Sequence, residues 1–173
     1  NDSLDIPLIT KIADTGSPEA LTILGRLYEK GIHFEQDENS AAAFYIRASR
    51  NESPVSRFLL WKMNLDSDYY SSLKKLIDNN DSESLFILYG FNSLGFDKSI
   101  TEQDAFNLLN NSASLKYLPA LTELGLVYYT GGIIQQDKDK AFSIWQMAKE
   151  LGSIEAEARL MAIKIFDKNE FTG

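Results

Sequence analysis

Shifted against itself by one hundred residues, this sequence brings eight positions into register, seven identical and one aromatic for aromatic. Leu124, Gly125, Tyr128, Gly131, Asp137, Ala141, Trp145 and Ala148 fall on Leu24, Gly25, Tyr28, Gly31, Asp37, Ala41, Tyr45 and Ala48. In the later copy Leu121, Leu124, Val127 and Tyr128 recur at helical spacing, and Gly125 sits where a partner helix can approach the backbone. Gly131 and Gly132 end that helix. Asp137 opens a second one, with Ala141, Ile144, Trp145 and Ala148 on one face and Asp137 and Asp139 at its positive end. Neither helix can bury its apolar stripe alone, so the hairpin needs neighbours of its own kind. First helices beginning at Pro18, Pro54, Glu83, Pro119 and Glu155 are spaced 36, 29, 36 and 36 residues apart, the period of a helical repeat array.

The pattern A-x-x-x-L-G-x-x-Y-x-x-G, then Asp, then K-A-x-x-x-W-x-x-A-x-x-x-G resembles the Sel-one-like repeat, a relative of the tetratricopeptide repeat. The first full copy reads A20LTILGRLYEKG, D37 and S40AAAFYIRAS, and the fourth reads A120LTELGLVYYTGG, D137 and K140AFSIWQMAKELG. The inner copies depart from it. Trp61 and Tyr89 replace the first-helix glycine, Asn64 and Asn92 replace the tyrosine, and copy two is seven residues short. The resemblance implies an all-α, right-handed α-α superhelix of about four helix hairpins in one domain over 1–173. Its parts are a cap (1–17), repeats at 18–53, 54–82, 83–118 and 119–154, and a terminal helix at 155–167. The segment from Asp5 to Gly16 resembles the end of a second helix, with Leu8, Ile9 and Ile12 on one face. Thr101 and Asp104 form a capping-box start in copy three. Ile163, Ile165 and Phe166 suggest that the tail caps the array or meets further residues.

Composition then narrows the function. Of 173 residues 44% are hydrophobic and 24% charged, as in a globular chain with a continuous core, and the formal charge of −8 argues against nucleic acid or an anionic membrane as partner. No apolar run approaches a membrane span. With no cysteine there are no disulfides and no thiolate chemistry, and this leans toward an exported protein of periplasmic or secreted kind whose leader has been removed.

Chemistry-bearing patterns are thin. His33 is the single histidine and has no cysteine beside it for a zinc site. D78NNDSE83 begins like a calcium loop, yet Glu83 stands where glycine is needed and Tyr89 where a carboxylate is needed. Ser71 with Lys74 and Ser72 with Lys75 fit an S-x-x-K spacing without the companion motifs. Glu35, Asp37, Glu38, Asp137 and Asp139 lie at corresponding helix starts, where the helix dipole accounts for them. Tyr28, Tyr45, Tyr128 and Trp145 read as core. No catalytic set, metal or cofactor is expected.

What remains is surface. The resemblance implies partner binding on the concave side lined by first helices. The inward row is expected to hold Thr22, Arg26 and Glu29; Phe58, Lys62 and Leu65; Phe86; and Leu126 and Tyr129. The expected function is a non-catalytic scaffold or adaptor for a protein or peptide. Two alternatives stay open: a small-ligand-binding or hydrolytic envelope protein, and a structural spacer in a longer repeat chain.

Overall fold

Helix starts are set by side chains that accept hydrogen bonds from the first free amides. Asp5, Ser17, Asp37, Ser53, Asp66, Asp81 and Asp137 each do so, and Thr101 with Asp104 closes a full capping box. The computed structural model describes residues 4–169, with side chains as far as Lys164. Within them lie α1 (Ile6–Asp14), α2 (Pro18–Lys30), α3 (Glu38–Arg50), α4 (Pro54–Asn64), α5 (Ser67–Asp78), α6 (Ser82–Ser93), α7 (Glu102–Ser114), α8 (Leu118–Thr130), α9 (Lys138–Glu150) and α10 (Ile154–Asn169). The chain is an all-α helical repeat superhelix, with ten helices and no strand among the described residues.

One turn recurs five times. The residue before the cap of α2, α4, α6, α8 and α10 is left-handed in every copy: Gly16, Glu52, Asn80, Lys116 and Gly152. On these residues the spacing is 36, 28, 36 and 36, because α6, α8 and α10 begin at Ser82, Leu118 and Ile154, each one residue before Glu83, Pro119 and Glu155. The second copy is therefore eight residues short, not seven.

Hairpins α2–α3 and α8–α9 are built alike. Asp37 N donates to Tyr28 O and Asp137 N to Tyr128 O, and Tyr45 and Trp145 are 0% and 1% exposed. Each large ring lies on a glycine: a Cβ on Gly25 would stand 2.5 Å from Tyr45 Cε1, and one on Gly125 would meet the Trp145 indole more closely still. The inner copies break this scheme. With α4 and α5 shortened, α3 packs on α6, a helix that is not its neighbour in the chain. The contact is made at Gly90, where a Cβ would collide with Ile46. Gly90 lies one residue past the position of Gly25 and Gly125, and one residue turns a helix by roughly 100°, so it faces α3 rather than its hairpin partner α7. Accordingly α3 is enclosed nearly all round, with Ala41, Ala42, Ala43, Tyr45, Ile46 and Ala48 all buried and Glu38 its only exposed residue.

At the array's start α1 buries Ala13 and packs Ile6 and Ile9 on the core. Leu8 and Ile12, expected on the same face as Ile9, are exposed instead. Ile163 is half-buried against the core, whereas the side chains of Ile165 and Phe166 lie outside the described residues.

Candidate partner-binding surface

The row expected along the first helices does not form one surface, because part of it is buried. Phe86 is 1% exposed, with its ring centroid 5.6 Å from that of Tyr117 and 6.4 Å from that of Tyr89, so it is core and not a contact surface. Beside it α3 reaches α6 and α8 through a buried polar cluster. Arg50 Nε is 2.8 Å from Glu123 Oε1, and Tyr89 donates to that same oxygen at 2.8 Å. Burial opposes the charge on Arg50. Glu123 and Tyr89 overcome that cost and hold the guanidinium above its ordinary range. Burial and then Glu123 push the Tyr89 hydroxyl far up, so it stays a donor.

On α8, Leu126 and Tyr129 are half-buried; the Tyr129 ring is 5.5 Å from that of Trp145, and Lys138 Nζ is 5.4 Å from its centroid. On α2, Thr22 and Glu29 hold helices together. Thr22 Oγ1 is 2.7 Å from Ser56 Oγ and 3.0 Å from Ser53 Oγ, fixing α2 to the start of α4. Glu29 accepts from the Tyr45 hydroxyl at 2.7 Å.

The remaining four residues stay available to a partner. Phe58 and Lys62 are exposed on α4, Leu65 is exposed at its C-cap, and Arg26 is exposed on α2. Between these helices runs a cleft of about 430 Å³ lined by Ile23, Arg26, Pro54 and Val55. Along α4 the cleft continues into an apolar stripe: Val55, Phe58, Trp61 and Leu65 are 46%, 60%, 43% and 61% exposed. The rings of Phe58 and Trp61 are 5.8 Å apart. Ser56 and Leu60, both 0% exposed, mark the opposite, inward side of the helix. The shortened second copy explains the stripe: α5 begins at Ser67, buries only Tyr69 and Leu73, and leaves the outer face of α4 uncovered. Arg57 turns inward, donating to Leu94 O at 2.9 Å and lying over the Phe96 ring, while Lys62 has no ion-pair partner among the described residues. Val55 and Trp61 were missed as surface residues by the row reading. The signal was present as apolar residues at 55, 58, 61 and 65, nearly one every turn of α4.

The Sel1 repeat model matches residues 18–53 and 118–153, the two copies with the glycine-on-ring hairpin. These two segments, similar to the Sel1 repeat, make up 72 of the 173 residues. A Sel1 repeat protein from Oxalobacter formigenes has a solved structure similar to this one, with a TM-score of 0.52 and 22% identity over 84% of this chain and 62% of that one. A protective antigen from uropathogenic Escherichia coli strains, displaying an SLR fold, is similar with a TM-score of 0.52 and 20% identity over 92% of this chain and 36% of that one. At that identity the likeness establishes the fold, and this chain spans less than two thirds of either structure. No curated protein matches the sequence. Sel1-repeat proteins are generally protein-interaction scaffolds and typically non-catalytic. Among the described residues no group of three or more His, Cys, Asp or Glu is placed to hold a metal, and no helix is long and apolar enough to cross a membrane.

Proposed function

We propose that this chain is a non-catalytic adaptor that holds a partner protein on the first-helix face of α2 and α4. The supporting observation is the exposed stripe Val55, Phe58, Trp61 and Leu65, rimmed by Lys62 and Arg26. Large apolar side chains lined up on one helix are the pattern an amphipathic helix or extended segment uses as anchors, with charges at the rim setting register. Burying a Phe, Leu or Trp side chain fully is worth about 1.5–3 kcal/mol, so the part of these four still exposed suffices for a specific contact.

A photo-crosslinking residue at position 65 tests this, compared with the same residue at exposed Asn107 on α7. Position 65 should give one defined protein adduct, lost in a Trp61→Ala, Lys62→Glu chain that melts like the parent. Equal adducts from position 107, or an adduct indifferent to the double variant, would remove the surface from α4.

A spacer role in a longer repeat chain is the second reading. It is favoured by a cleft of about 530 Å³ between α9 and α10, lined by Phe142, Leu160, Met161 and Ile163, which a further helix would fill.

A further inference from the structure

Between the start of α3 and the face of α5 lies a cleft of about 500 Å³ whose wall carries Asp37 and Glu38 and whose floor is Tyr69, Ser72 and Leu76. Tyr69 is 8% exposed, and its hydroxyl, cut off from solvent, has no hydrogen-bond partner. A buried polar atom left unpaired carries a cost, and it calls for an explanation. The Asp37 carboxylate caps α3, accepting from Asn39 N at 3.0 Å and Ser40 N at 3.1 Å. Glu38 is exposed and pairs with no cation among the described residues. Behind Tyr69, the half-buried Glu83 accepts from the Tyr117 hydroxyl at 2.9 Å. After burial, the influences on the Tyr69 hydroxyl are Glu38, Glu83 and Asp37, all negative. The cations on α5 do not line the cleft: Lys74 Nζ lies over the Tyr70 ring, and Lys75 is exposed.

We propose that this cleft binds a primary alkylammonium, supplied by a peptide lysine or by a free diamine, between the Asp37 and Glu38 carboxylates and the Tyr69 hydroxyl. The ammonium supplies the donors that the Glu38 carboxylate and the unpaired phenol oxygen lack, in charge-assisted bonds, while Asp37, already accepting from Asn39 N, Ser40 N and Ser40 Oγ, adds its negative charge. Leu76 and the Tyr69 ring take the methylene stem. Entry requires a side-chain shift at the cleft, because the Tyr69 hydroxyl is cut off from solvent. The site is separate from the α4 stripe, and neither depends on the other.

The test is a titration of the full chain with N-acetyl-lysine methylamide and with 1,5-diaminopentane, followed by amide NMR shifts. Saturable shifts centred on Glu38, Ser72 and Leu76 are expected. Saturation by both probes assigns a peptide lysine, and saturation by the diamine alone assigns a free amine. Glu38→Gln and Tyr69→Phe should each weaken binding about tenfold, while Glu102→Gln, an exposed carboxylate elsewhere, leaves it unchanged. Tyr69→Phe should melt no lower than the parent, since its hydroxyl has no partner to lose. Absence of saturable shifts, unaltered binding in both cleft variants, or an equal loss in Glu102→Gln would overturn the assignment.

Discussion

At the scale of single residues, three glycines decide which helices touch. Adding a methyl at Gly25 or Gly125 drives it into Tyr45 or Trp145, whose ring is enclosed on all sides. Gly125→Ala should therefore lower stability by about 1–3 kcal/mol in denaturant unfolding. Gly25 and Gly125 were legible in the sequence because glycine and ring are only twenty residues apart and recur at one spacing. Gly90 was not, because its partner Ile46 belongs to another hairpin and the glycine is one residue out of register. The buried pair of Arg50 and Glu123 was hidden for the same reason. Removing one partner strands the other, so Arg50→Met should cost about 3 kcal/mol, measured by thermal or urea unfolding.

Glu83 adds a pH dependence. Burial, with Asp37 and Asp81 in support, holds its carboxyl above the ordinary value, against the opposing bond from Tyr117. A carboxyl with a raised folded pKa favours folding below its unfolded value, and that contribution is lost as pH rises through the folded one. Stability should thus gain from Glu83 as pH falls through its raised folded pKa toward the ordinary carboxylate range. Glu83→Gln should flatten that part of the slope and be more stable at neutral pH, read from melting temperatures across the range.

At the scale of elements, α3 and α4 take opposite roles. The run Ala41, Ala42, Ala43 on α3 carries no polar face, which is the mark of a helix enclosed by others. Reading it as the second helix of an ordinary hairpin undervalued it, since such helices keep one side in water. On α4 the pattern is two-sided, and the apolar outward side stays uncovered because its own copy is the shortened one. Leu60→Ala should cost about 2–5 kcal/mol because it empties a closed site. Phe58→Ala and Leu65→Ala should stay within about 0.5 kcal/mol of the parent, although both would weaken partner binding. Equal destabilisation by all three would mean that α4 is covered in solution by this chain itself.

At the scale of the whole molecule, the repeat curls back so that its first hairpin meets its last helix. Arg47 of α3 is 3.1 Å from Glu155 of α10 and donates to Ala13 O at 3.4 Å, while Asn51 donates to Gly16 O at 2.8 Å. The end of α3 thus joins the turn after α1 to the start of α10. Repeat architecture and hairpin pairing could be read from the sequence, since both are local. The inward path of α3 could not, because it follows from an eight-residue deficit in another copy. The expected binding row is divided, with Phe86 in the core and Phe58, Lys62 and Leu65 outside. Hydrogen exchange tests the path of α3 most directly. The amides of α3 from Ala42 to Arg50 should exchange only through global unfolding, and those of α4 and α5 through cheaper local opening. Exchange in α3 as fast as in α4 and α5 would contradict a central α3, and with it the account of why the α4 stripe is left for a partner.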